Sequence, residues 1–241
     1  MKLTVIGCHG AYPDAGGATS GYLIEEGNVK VLLDCGSGVL AGLQRYCPLS
    51  ELDAVILSHY HPDHCADLGC LQYAAMIETQ LGKRTKPLFA WGPENIDTLS
   101  FLNYCTGCCY KENTAFQIDG LKFEVLQNIH EVVSYSIRVT SPKGAVLVYS
   151  GDTAYYEELN RFAARADCFL CEASFYSDGH AHTAQHLTSA EAAQLAEAAQ
   201  AKLLVLTHLP HFGEPKQLIS EAKAVFQGKT LLAEQWLEIF L

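Results

Sequence analysis

The sequence predicts an α/β or α+β fold. Short apolar runs rich in β-branched residues alternate with longer segments of helical periodicity. The order is strands then helix, and then strands then helix again, so each half reads as a mixed sheet with a helix returning over it. No window approaches the roughly 18 uninterrupted apolar residues of a membrane span.

Residues 2–7 read as the first strand. Residues 22–25 and 29–34 read as a hairpin around Glu26-Gly27-Asn28. Residues 37–46 read as a helix that stops before Pro48. Residues 54–57 form a buried strand, 68–80 a helix with Gly82 at its exit, and 88–91 a short strand. A helix is expected over 95–104. Strands follow near 114–118, 121–127, 134–140 and 145–149, then a helix over 154–164 and a strand over 168–171. The helix over 189–201 has Thr188 or Ser189 as its cap and Glu191 in its first turn. A strand at 203–206, a helix at 216–226 and a strand near 236–240 complete the chain.

At 241 residues the chain suits one large domain or two small ones. It has no linker-like or low-complexity stretch and no short internal repeat, so one domain over 1–241 is the simpler expectation. The net charge of −11 argues against a long polyanion as substrate, because nucleic-acid affinity comes mostly from Lys and Arg neutralising phosphates. The N-terminal apolar run is broken at Gly7, too early for a signal h-region. The ten dispersed cysteines read as reduced thiols, and the expected location is cytoplasmic. Cys105, Cys108 and Cys109 contain a Cys-x-x-Cys spacing without a second Cys/His pair. Structural metal, redox thiols and packing near a helix end all stay open for them.

The most informative segment is Ser58-His59-Tyr60-His61-Pro62-Asp63-His64, directly after the strand at 54–57. In an extended chain His59 and His61 point to the same side and can ligate one ion. Pro62 turns the chain, freeing Asp63 and His64 to reach a second. Imidazoles with carboxylate suit zinc, or less selectively manganese and iron. The bland alternative is a His-rich surface turn. Three further candidates each lie at or near the end of an apolar run: His130, Asp152 and His208.

The His-x-His-x-Asp-His run, with a lone His, a late Asp and a final His in this order, resembles the metallo-β-lactamase superfamily over nearly the whole chain. The resemblance implies an α+β, αββα sandwich. It also implies two divalent ions, zinc first and manganese second. His59, His61 and His130 would hold one ion and Asp63, His64 and His208 the other, with Asp152 bridging. Two such ions share a water held as hydroxide, the nucleophile of a hydrolase. Asp63 is then catalytic as well as a ligand.

Gln185-His186-Leu187-Thr188-Ser189-Ala190-Glu191-Ala192 resembles an element of the ribonuclease Z branch, in which a His before a helix donates a proton to the leaving oxygen. His186 matches that position; the alternative is an exposed neighbour of a helix cap. His130 with Ser134-Tyr135 resembles the same branch. The departure is the tRNA-binding arm: His130 and Asp152 are 22 positions apart, which a hairpin fills. The implied function is therefore a phosphodiesterase on a small or cyclic phosphodiester. Lactonase or thioester hydrolase is the alternative on the same metals, and a non-catalytic metal-binding protein the third. A small-molecule substrate is expected, with no long nucleic acid and no membrane; a homodimer stays open. Asp34 matches a family Asp that orients ligand imidazoles. His180 and His182 could line the entrance or replace His186 as acid. His211 reads as a neighbour of the ligands rather than a ligand, and His9 as a loop residue near the site.

Overall fold

A computed structural model describes residues 1–177 and 185–241. These divide into two compact units, Met1–Lys111 with Gln235–Phe240, and Glu112–Glu234 with Leu241. Among the described residues, no helix is long and apolar enough to cross a membrane.

The first unit contains strands β1 (Lys2–Gly7), β2 (Gly21–Glu26), β3 (Val29–Leu33), β4 (Ala54–Ile56), β5 (Leu88–Gly92) and β6 (Cys105–Cys109). The C-terminal strand β14 (Glu238–Phe240) completes its sheet, in the order β14-β1-β2-β3-β4-β5-β6. β14 through β3 pair antiparallel, and β3 through β6 pair parallel. Helices α1 (Val39–Leu43), α2 (Pro62–Cys65), α3 (Leu68–Gln80) and α4 (Ile96–Leu99) lie on the connections between the parallel strands. Ile6, Leu23, Leu32 and Val55 from the sheet pack with Val39, Leu43, Leu71 and Leu99 from the helices in one buried cluster. Each such side chain contributes about 1.5–3 kcal/mol on leaving water.

The second unit repeats this plan. Its strands are β7 (Ala115–Ile118), β8 (Leu121–Gln127), β9 (Tyr135–Thr140), β10 (Val146–Tyr149), β11 (Cys168–Glu172), β12 (Leu203–Thr207) and β13 (Lys229–Leu232). The sheet order is β13-β12-β11-β10-β9-β8-β7, antiparallel from β7 to β10 and parallel from β10 to β13. Helices α5 (Glu157–Phe162), α6 (Ser189–Ala199) and α7 (Pro215–Val225) occupy the parallel crossovers. β10, β11 and β12 are buried along their whole length, as expected of parallel strands covered on both faces. Thr188 caps α6 in a reciprocal box with Glu191, which stabilises the helix start by about 1 kcal/mol.

Four helices are shorter than their sequence pattern, α6 among them, since it ends at Ala199 where Gln200 turns left-handed. Gly38 adopts φ 83°, so α1 begins only at Val39. Tyr156 is extended, so α5 begins at Glu157. The helix expected over 95–104 ends at Leu99, and residues 105–109 become strand β6. These residues lie beyond the expected helix and pair with β5, and a Cβ at Gly107 would lie 2.5 Å from Ser100 Oγ. β13 escapes sequence reading altogether. It is four residues long, half polar, and exists because its backbone completes the ladder beside β12.

Strand geometry also decides the Cys-x-x-Cys question. Cys105 and Cys108 are an odd number of residues apart on β6 and so face opposite sides. Among the described residues, no group of potential metal ligands includes a cysteine, and none of the ten cysteines is in a disulfide. Burial pushes the thiols of Cys47, Cys65 and Cys105 up to about 11 and raises those of Cys35, Cys168 and Cys171 as well. A buried thiol is both inaccessible and un-ionised. In the native protein, Ellman's reagent should therefore react rapidly with exposed Cys70 and Cys109, and with the buried thiols only on unfolding. Rapid native labelling of Cys35, Cys168 or Cys171, read by mass spectrometry, would contradict this packing.

Candidate active site

Most of the donor side chains follow the carboxyl ends of parallel strands, where open sheets place ligands; His130 follows the antiparallel strand β8. In the first unit, Asp34 follows β3 and is fully buried with φ 55°. Its Oδ1 accepts Ser58 N–H at 2.6 Å. Its Oδ2 accepts Ser58 Oγ–H at 2.8 Å and His64 Nδ1–H at 2.7 Å. Because Ser58 Oγ donates to Asp34, it accepts from His59 Nδ1 at 3.0 Å. One carboxylate thus fixes both imidazoles with Nδ1 protonated, leaving each Nε2 as the nitrogen with a lone pair.

His59 Nε2 lies 3.1 Å from His61 Nδ1. Two nitrogens each about 2.0–2.1 Å from one tetrahedral ion would stand roughly 3.3 Å apart, so the pair fits a shared ion. Pro62 does turn the chain, by opening the one-turn helix α2 at its first position. That turn places Asp63 Oδ2 3.6 Å from His64 Nε2, and Ala11 N–H holds the same oxygen at 2.8 Å. Gly36 lets the Asp34 loop pass close to Asp63: a Cβ there would sit 2.0 Å from the Asp63 carbonyl oxygen. His9 lies at a bridge with Thr19, its Nε2 3.6 Å from Asp14.

In the second unit, Gly151 (φ 58°) lets the chain turn after β10 and present buried Asp152. Asn128 and Ser134 hold the Asp152 carbonyl at 3.1 and 3.0 Å, so the His130-bearing loop and the Asp152 loop are braced together. His208, after β12, has φ 53°. A left-handed backbone at a non-glycine residue costs about 1–2 kcal/mol, and here it falls on a donor side chain. His208 Nε2 lies 3.2 Å from Asp152 Oδ2. His208 Nδ1 is 2.8 Å from Ser174 Oγ, which itself donates to Glu172 Oε2 at 2.7 Å. His130 Nδ1 is 3.2 Å from the Gln185 carbonyl.

His186 is not an exposed cap neighbour. Its ring stacks on His208 at 5.4 Å and meets His130 edge-on at 5.1 Å. Its Nδ1 lies 3.1 and 3.2 Å from the two oxygens of Glu172. Burial pulls the His186 pKa down, but the Glu172 carboxylate beside it outweighs that, and the net shift is upward. Glu172 also accepts the Thr153 and Leu187 N–H groups at 2.6 and 3.2 Å. Although Glu172, His186 and His208 offer ligand atoms within 4.8 Å of one another, these four donors occupy the Glu172 oxygens. Glu172 therefore acts as a hub that holds rings rather than as a metal ligand. Glu172 and Ser174 were not singled out from sequence. The available signal was a carboxylate closing the wholly apolar strand at 168–171. His211 lies in the turn after His208 and is partly exposed. His180 and His182 lie outside the described residues.

The fold and donor chemistry agree with what comparison finds. Residues 29–209 match the family model described as β-lactamase superfamily domain, and the chain belongs to that superfamily, with its α+β, αββα fold class. It is 41% identical over 238 residues to the probable metallo-hydrolase YhfI of Bacillus subtilis, covering 97% of each chain. The crystal structure of YhfI superposes with a TM-score of 0.95 at 39% identity, over 99% of this chain and 98% of that one. Human tRNase Z, short form, matches with a TM-score of 0.78 at 20% identity over 100% and 99%. A diphosphatase from the PhnP family matches with 0.73 at 17% over 100% and 97%. These last two likenesses concern the fold. By class the chain is a metal-dependent hydrolase with ribonuclease Z-like relatives.

Replacing Asp34 by Asn keeps the shape but removes an acceptor from His64 or Ser58. Metal affinity should fall about 10- to 100-fold, measured by competition with a chromophoric chelator. Unchanged affinity in folded D34N would mean that the Asp34 network does not orient the donors.

Proposed function

We propose that this chain is a two-metal phosphodiesterase acting on a small or cyclic phosphodiester, with both units serving as one catalytic domain over residues 1–241. His59, His61 and His130 would hold one divalent ion and Asp63, His64 and His208 the other, with Asp152 shared. The all-imidazole-and-carboxylate set suits zinc and also accepts manganese. When bound, such a pair supplies a water of lowered pKa and neutralises charge on phosphate oxygens.

The observation that carries this reading is the Glu172–His186 pair. Glu172 holds Nδ1, so Nε2–H is the proton His186 can give, and the carboxylate beside it shifts the His186 pKa upward. Ring contacts place His186 beside two of the proposed ligands, His130 and His208. An alkoxide leaving from phosphorus needs such a proton. A thiolate, with an ordinary pKa near 8.5, leaves without one, which favours a diester over a thioester. Asp63, clamped by Ala11 N–H, doubles as ligand and proton acceptor for the attacking water. Substrate size follows from two features: the net charge of −11, and the β9–β10 hairpin filling the interval between His130 and Asp152.

The purified protein should hydrolyse bis-p-nitrophenyl phosphate with close to two ions per chain, and Asp152→Ala should lose metal and most turnover. Turnover of a lactone or thioester without the diester, or full activity with one ion, would overturn the assignment.

His186→Ala should keep the metal content and slow hydrolysis of a diester with an alkoxide leaving group by about 100-fold or more. The p-nitrophenyl ester, whose leaving group needs little protonation, should lose far less. Equal losses would indicate positioning, and loss of an ion would make His186 a ligand.

Intact tRNA precursors should be poor substrates at physiological salt. Efficient 3′-processing in a gel assay would refute the small-substrate reading.

A further inference from the structure

Exposed apolar side chains in the second unit are confined to the loops that carry the candidate site. Among its described residues, the exposed large hydrophobics are Ile129, Val132, Val133, Tyr155 and Phe212, between 39% and 53% accessible. Ile129 adjoins His130, and Val132 and Val133 follow two and three residues after it. Tyr155 lies three residues past Asp152, and Ala154 N–H bonds the Ile129 carbonyl at 2.8 Å, so these two loops run together. Phe212 lies four residues past His208. Its ring meets that of Phe175 at 6.2 Å, and Phe175 meets the His186 ring edge-on at 6.1 Å. Phe212 is also backed by the Tyr176 ring, 5.8 Å away, whose hydroxyl donates to the Phe212 carbonyl at 3.0 Å. Gly213 is required there, because a Cβ would lie 2.4 Å from the Tyr176 ring. Phe212 is therefore a fixed exposed ring rather than a loose side chain. Apolar surface kept in water in one place marks a binding site.

We propose that this apolar collar receives the organic part of the substrate, and that Phe212 and Phe175 form the platform for a ring-bearing alcohol leaving on the His186 side. The substrate class is then a phosphodiester of a hydrophobic or aromatic alcohol, rather than of a small polyol. The inference rests on the phosphodiesterase reading above, since only a leaving group protonated by His186 need lie next to Phe175.

The test compares two methyl phosphodiesters, one with benzyl alcohol and one with methanol as leaving group, which differ in the ring while their oxygens have similar basicity. The metal-loaded enzyme should prefer the benzyl ester in kcat/KM by about 10-fold or more. In Phe212→Ala that ratio should fall toward one, with Phe212→Leu intermediate, and Val133→Ser should lower it as well. Binding gives a second readout: by calorimetry benzylphosphonate should bind more tightly than methylphosphonate, and Phe212→Ala should remove the difference. Equal handling of both esters by the native enzyme, or a preference unchanged in both F212A and V133S, overturns the platform while leaving the phosphodiesterase reading intact. No turnover of either ester or of bis-p-nitrophenyl phosphate overturns both.

Discussion

Two buried carboxylates decide which imidazole nitrogens are available, and the candidate site depends on that choice. Asp34 sits at the end of β3 and Glu172 at the end of β11, both without solvent exposure. Burying a carboxylate costs several kcal/mol unless charge and hydrogen bonds offset it. Here hydrogen bonds converge on both: Ser58 and His64 donate to Asp34, and Thr153, Leu187, Ser174 and His186 donate to Glu172. The result is a set of rings whose Nδ1 atoms face protein and whose Nε2 atoms are left for chemistry. His61 differs, since it meets His59 through Nδ1. It follows the strand at the point where Pro62 redirects the chain, so its ring arrives from a different direction.

The two hubs hold different kinds of residue. Asp34 works on His59 and His64, both expected ligands, and does so partly through the hydroxyl of Ser58. Glu172 reaches the expected ligand His208 only through Ser174, and spends its direct contact on His186. A serine relay passes on orientation but little charge. Direct contact passes on both, and the raised His186 pKa is the consequence. Glu172 thus treats its two imidazoles differently: it reaches His208 through the Ser174 hydroxyl, and it holds His186 directly and raises its pKa. The difference is one intervening hydroxyl.

Legibility in the sequence followed the physics of each feature. The strands at 54–57 and 203–206 and the helices at 68–80 and 189–201 were readable because burial imposes their periodicity, and the structure places them within a few residues. The donors at 59–64 were readable because three imidazoles and a carboxylate within six positions at the end of an apolar strand form a dense set of metal-ligating side chains. Asp34 was reached through its resemblance to a family position. Glu172 was not, because one Glu after an apolar run has no local signature; its role depends on Thr153, Ser174, His186 and Leu187, which only the fold gathers. The same limit hid β6 and β13, whose residues carry weak strand signals and whose pairing comes from β5 and β12. The parallel topology of the two units left no sequence repeat, since it is kept by burial pattern and not by residue identity.

Placement at the carboxyl ends of parallel strands explains why strained and functional residues coincide. A parallel strand must leave the sheet toward a crossover helix, so the chain has to turn within two or three residues of its last ladder bond. Asp34, Gly151 and His208 make that turn with positive φ. Aspartate and glycine tolerate it; histidine does so at a cost. A substitution to Gly at 208 would relieve the backbone but remove the imidazole. His208 therefore keeps its strained turn together with the placement of Nε2 beside Asp152 and of Nδ1 beside Ser174.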